Sequence, residues 1–110
     1  IGAAKENGVF AIGWGNDQYE VAPSSVVTSQ IVDQKEMIVT AIEAWRRGEL
    51  PEGVWFFGLD SKVTGLAPIR VVDEETRDRA NAAVASARER LARGAVELPT
   101  FDKADRPTPT

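Results

Sequence analysis

Four consecutive apolar residues, Val9-Phe10-Ala11-Ile12, stand between Gly8 and Gly13, and they constrain the fold more than any other feature. A short unbroken apolar run closed by glycine fits a strand buried on both faces, and such strands belong to parallel sheets covered by helices. Two further segments fit the same reading. Residues 24–32 carry Val26, Val27, Ile31 and Val32 around a polar Thr28-Ser29-Gln30 break, and Val54-Trp55-Phe56-Phe57 is bracketed by Gly53 and Gly58. Residues 60–68 read as a loop.

After the second of these strands the apolar residues recur with a period of about 3.6. Ile38, Ala41, Ile42 and Trp45 fall at i, i+3, i+4 and i+7, the stripe of an amphipathic helix. Asp33 is placed to cap it, with Glu36 three residues on, and Arg46-Arg47-Gly48 supplies a cationic last turn and a stop. A second helix is predicted over residues 74–93, capped by Asp73, with Ala80, Ala83, Val84, Ala87 and Leu91 along one face. Residues 1–8 read as the last turns of a helix ending at Asn7-Gly8. Strands alternating with helices define an α/β chain with parallel strands. Three strands and two full helices bury little, so this reading expects covering partners, supplied by another lobe or by a second chain. Trp45, Trp55, Phe56 and Phe57 are assigned to the core.

Composition then restricts function. Thirteen Lys and Arg against 17 Asp and Glu give a net charge of −4 without a basic stripe, which argues against nucleic acid as a partner. The chain has no Cys and no His. That removes disulfides, thiol and Ser-His nucleophiles and the usual transition-metal ligands, so no catalytic residue, metal site or cofactor is assigned. Binding is favoured over catalysis.

The loop Gly13-Trp14-Gly15-Asn16-Asp17-Gln18 follows the first strand, and open α/β sheets bind ligands beyond the carboxyl ends of their strands. Trp14 as an aromatic face, with the amide of Asn16 and the carboxylate of Asp17 beside it, suits a ligand with a flat body and hydroxyls. The same residues also fit a tight turn with Trp14 as core. The Thr28-Ser29-Gln30 break is a ligand contact, a crossing between lobes, or a locally satisfied bend, since buried hydroxyls need partners. Asp33 is a helix cap or a ligand group. Gly13-Trp14-Gly15 is not a dinucleotide fingerprint, because no third glycine follows and no helix opens there.

Taken in order, Gly8-Val9-Phe10-Ala11-Ile12-Gly13, Asn16-Asp17-Gln18, Ala22-Pro23, Val27-Thr28-Ser29, Gly48-Glu49-Leu50, Gly53-Val54, Gly58-Leu59 and Gly65-Leu66-Ala67-Pro68 resemble the C-terminal part of the basic membrane protein (BMP) family. These are substrate-binding proteins of ABC transporters and include purine nucleoside receptor lipoproteins. The resemblance implies the C-terminal part of a type I periplasmic-binding-protein fold, a Rossmann-like α/β lobe over residues 1–98, followed by a flexible polar, Pro-rich tail at 99–110. It implies a small-molecule ligand, nucleoside or nucleobase-like, held in an interlobe cleft, with an ABC transporter permease and the N-terminal lobe as partners. It also implies an extracytoplasmic, lipid-anchored setting. Trp14, Asn16, Asp17, Ser29 and Asp33 are the ligand-binding residues expected on this basis. Nucleoside-binding members carry an acid where this chain has Gly15, and a lysine soon after the Thr-Ser pair, where this chain has Val32 and Asp33 and reaches lysine only at Lys35. Alternatives are a sensor or interaction domain of the same fold, or a fragment of a doubly wound α/β enzyme using Asp17 and Asp60.

Overall fold

A computed structural model describes residues 1–97. The boundary at residue 98 and the tail expected at 99–110 lie outside the described residues. The elements in order are α1 (Gly2–Glu6), β1 (Ala11–Gly15), a 3₁₀ turn (Tyr19–Val21), β2 (Val26–Val32), α2 (Gln34–Arg46), β3 (Thr64–Leu66) and α3 (Glu74–Ala92). The α/β lobe expected from the sequence is present.

One three-stranded sheet, in the order β1-β2-β3, organises the lobe. β1 and β2 pair in parallel, from Ala11 opposite Val26 to Gly15 opposite Ile31, with a bulge between Ala11 and Ile12. β2 pairs with β3 in the opposite direction, Gln30 with Leu66 and Val32 with Thr64. The sheet is therefore mixed rather than all-parallel. Both helix caps form as the sequence requires: the Asp33 and Asp73 side chains accept hydrogen bonds from the backbone N–H groups of Glu36 and Thr76. Each satisfies a donor that the first turn leaves open.

Several expectations are corrected. Residues 54–57 form no strand, although they are rich in residues that favour strands. Trp55 and Phe57 stack on each other with centroids 4.8 Å apart, and no neighbouring strand offers a ladder. The third strand lies instead at Thr64–Leu66, inside the segment read as a loop. Thr28-Ser29-Gln30 does not break its strand, since β2 runs through it. The apolar run at residues 9–12 is not covered on both faces, because Val9, Phe10 and Ile12 are exposed. Trp45 and Phe56 are exposed as well, outside the core that their apolar character suggests. Trp55 and Phe57 are only half-buried. The stripe of α2 has the right period, yet Ile38 and Ile42 remain exposed and only Ala44 of this helix is buried.

What is buried is small and sits around β2. Val26, Ala22, Ala44, Val63 and Ala67 are the buried apolar residues, joined by Ser25, Thr28 and Ser29. Two of these hydroxyls are held by specific bonds: Thr28 Oγ1 donates to the Ala67 carbonyl at 2.7 Å, and Ser29 Oγ accepts from the Gln18 N–H at 3.0 Å. Among the described residues no buried side-chain polar atom lacks a partner, as a low-dielectric interior demands.

Candidate functional site

Beyond the carboxyl ends of β1 and β2 a cleft of about 340 Å³ opens beside the first turn of α2. β1 brings Trp14 and Gly15 to its rim, with Asn16 next in the chain. β2 contributes Ile31 and Val32 and then passes into Asp33, Gln34 and Lys35. Parallel pairing is the reason these meet, because it puts both strand ends at the same edge of the sheet. Gly15 has φ +91, a conformation that L side chains rarely adopt, and there the chain leaves the strand toward Asn16.

The cleft is polar and apolar in combination. Trp14 is 68% exposed, so it is a free aromatic face rather than core. One Asp33 oxygen, Oδ1, accepts from the Glu36 N–H at 2.9 Å. The Asn16 amide and the Lys35 ammonium are both exposed at the rim. Two other depressions, of about 280 and 640 Å³, run along α3, one of them against β3. Leu59, Arg88 and Leu91 are common to both, and Asp60 lines the larger, so their walls combine aliphatic surface with a charged side chain or two.

Of the five residues expected at a ligand, Trp14, Asn16 and Asp33 line this cleft, whereas Asp17 and Ser29 do not. Ser29 is fully buried, with its Oγ turned to Gln18 beneath the loop. Asp17 faces Arg70, whose Nη1 donates to Oδ2 at 2.9 Å and to Oδ1 at 3.2 Å. Oδ1 also accepts from the Tyr19 N–H at 3.1 Å. The Arg70 guanidinium, and after it the Tyr19 N–H, hold the Asp17 carboxyl below the ordinary carboxylate range. Sequence reasoning passes over Lys35 as a site residue, although its distance from the Thr-Ser pair is the available signal. It has no means of finding Arg70, 53 residues from Asp17. Among the described residues no three acidic side chains gather closely enough to hold a metal ion.

This α/β architecture is that of a periplasmic-binding-protein-like lobe. Residues 1–91 match the family model Bmp, ABC transporter substrate-binding protein PnrA-like, and the chain belongs to that family. Among solved structures, the chain is similar to the crystal structure of a transcriptional activator of the comK gene from Bacillus halodurans. The two are 26% identical with a TM-score of 0.68, and the match covers 80% of this chain and 31% of that one. This chain thus spans about a third of that structure's length. No curated protein matches it.

Proposed function

We propose that this chain forms one wall of the ligand cleft in the solute-binding component of an ABC importer, and that the ligand is a small organic molecule of the nucleoside or nucleobase type. The observation that carries this reading is the meeting of Trp14, Asn16, Asp33 and Lys35 at the carboxyl ends of two parallel strands. The Trp14 ring supplies a stacking surface of the kind that planar heterocycles select. Asn16 offers both a donor and acceptors, the second Asp33 oxygen accepts from a ligand hydroxyl or N–H, and Lys35 donates. Asp17 and Ser29 serve the same site from behind, by fixing the loop that carries Trp14 and Asn16. The chain acts by binding and contributes no catalytic group. In the full-length protein a further lobe closes the cleft, a permease receives the ligand, and a lipid anchor holds the receptor on the outer side of the cytoplasmic membrane. The family match supports the transporter part of this reading.

A second reading, a sensor lobe of the same fold, is favoured by one observation: the similar solved structure is that of a transcriptional activator. An enzyme fragment is not favoured. Asp17 is engaged by Arg70, and Asp60 lines a separate groove beside α3.

Calorimetry of the full-length receptor with inosine, guanosine, uridine and free adenine tests the ligand class. Binding of at least one of these, weakened about tenfold or more by Trp14→Ala through lost stacking area, is the expected result. No binding of any of the four, or affinity unaffected by Trp14→Ala, would sink the reading.

A further inference from the structure

The segment of residues 14–19, from the end of β1 into the 3₁₀ turn, presents two different sides. Trp14, Gly15 and Asn16 face the cleft, and the rest of the loop is tied to the body of the lobe. Gln18 uses both its nitrogens for this, the backbone N–H on Ser29 Oγ and Nε2 on the Trp14 carbonyl at 3.0 Å. Tyr19 returns its N–H to Asp17, and its ring lies under the Arg70 guanidinium, 4.5 Å from the centroid. The Asp17 carboxylate therefore accepts two bonds from Arg70 and one from Tyr19. A carboxylate has about four acceptor positions, so little capacity remains for a ligand. Its charge is also paired with that of Arg70.

Arg70 is in turn held in place. It belongs to a strap of residues 67–71 that follows β3 and lies along β2. The Ala67 N–H donates to the Ser29 carbonyl at 2.9 Å, the Ala67 carbonyl accepts from Thr28, and the Arg70 N–H donates to the Val27 carbonyl at 2.7 Å. The next residue, Val71, has φ +71, and a β-branched side chain in the left-handed region is a genuine outlier. Such conformations persist where the surroundings over-determine them. The neighbouring Arg70 is bonded through its backbone N–H to Val27 and through Nη1 to Asp17.

From this arrangement we infer that Arg70 is a positioning residue for the ligand cleft: by bonding both Asp17 oxygens through Nη1 and covering Tyr19 it sets the turn that fixes Asn16 and the end of the strand carrying Trp14, without touching the ligand. The inference rests on the cleft reading above for its ligand arm alone. Its content is that Asp17 and Arg70 act as one unit, so removing either has the consequence of removing both.

Two measurements on Asp17→Asn, Arg70→Met, their double variant and Arg70→Lys test it. The first is amide hydrogen exchange at Gln18 and Tyr19 in the ligand-free full-length receptor, and the second is inosine affinity of the same receptor. Each single variant should speed exchange at both amides about tenfold and weaken inosine to a similar degree, and the double variant should be no worse than either single. Arg70→Lys keeps the charge and a one-nitrogen contact to Asp17 but loses the planar guanidinium over Tyr19, and should recover part of the loss. Exchange unchanged in Arg70→Met, or single effects that add in the double variant, would overturn the inference. So would an affinity loss in Asp17→Asn with none in Arg70→Met, because Asp17 would then touch the ligand directly. If wild-type receptor binds none of inosine, guanosine, uridine and adenine, the ligand reading fails, and the exchange arm still decides the positioning role.

Discussion

Placing a methyl group on Gly13 is the most informative single change to the fold beneath the cleft. Gly13 is buried in β1 opposite Ser29 of β2. A Cβ built there would overlap Ser29 Oγ and lie 3.0 Å from Gln18 Cβ and 3.1 Å from Ser29 Cβ. The Gly13 backbone is not in the left-handed region, so the penalty is purely steric. Ser29 has no exposed surface to retreat into. Overpacking of this kind costs about 1–3 kcal/mol. Displacing Ser29 Oγ also strands the Gln18 N–H, for about 1–3 kcal/mol more. Against these stands the reduced freedom of the unfolded chain when Gly becomes Ala, about 0.4–1 kcal/mol. The balance predicts that Gly13→Ala destabilises the lobe by about 3 kcal/mol, a large part of the roughly 5–15 kcal/mol available to a domain. Denaturant unfolding followed by circular dichroism measures it. In a Ser29→Ala background the overlapping oxygen is gone, so the cost of the same Gly13→Ala change should fall by more than half. Tolerance of Gly13→Ala within about 0.5 kcal/mol, or an unchanged cost beside Ser29→Ala, would refute the packing argument.

Further outcomes follow from the same geometry. The Asp17 carboxyl is held below its ordinary value of 3.8, so its bonds to Arg70 and Tyr19 are intact above that pH and are lost as pH falls through the lower folded value; protection of the Tyr19 amide, relative to its intrinsic exchange rate at each pH, should fall only in that acid range and should show no such step in Asp17→Asn. Asp33→Ala removes the cap of α2 and should cost about 1 kcal/mol in unfolding measurements, whereas Asp33→Asn should keep the cap and weaken only ligand binding. Phe10, Ile12, Trp45 and Phe56 are each more than half exposed, so the isolated chain should associate with rising concentration in light scattering, and a strictly monomeric chain would count against this view of the surface.

The parts of this molecule that were legible in the sequence are those whose cause is local. Asp33 and Asp73 announce helix starts because a carboxylate two or three residues ahead of open N–H groups needs only neighbouring backbone. The extended segment at β2 follows from its own apolar residues, and the α/β alternation from the helix period that comes after it. Trp14, Asn16 and Asp33 were legible as site candidates because the carboxyl ends of parallel strands lie at one sheet edge whatever else the chain does. Decisions between distant segments were not legible. Thr64-Gly65-Leu66 carries no strand signal of its own and becomes β3 because the edge of β2 offers it a ladder, while residues 54–57, with far stronger propensity, find none. Whether the Ser29 hydroxyl meets a ligand or the Gln18 backbone, and whether Asp17 keeps a free carboxylate, turned on contacts 11 and 53 residues away. A side chain's type states which bonds it must make, and only the tertiary structure chooses the partner.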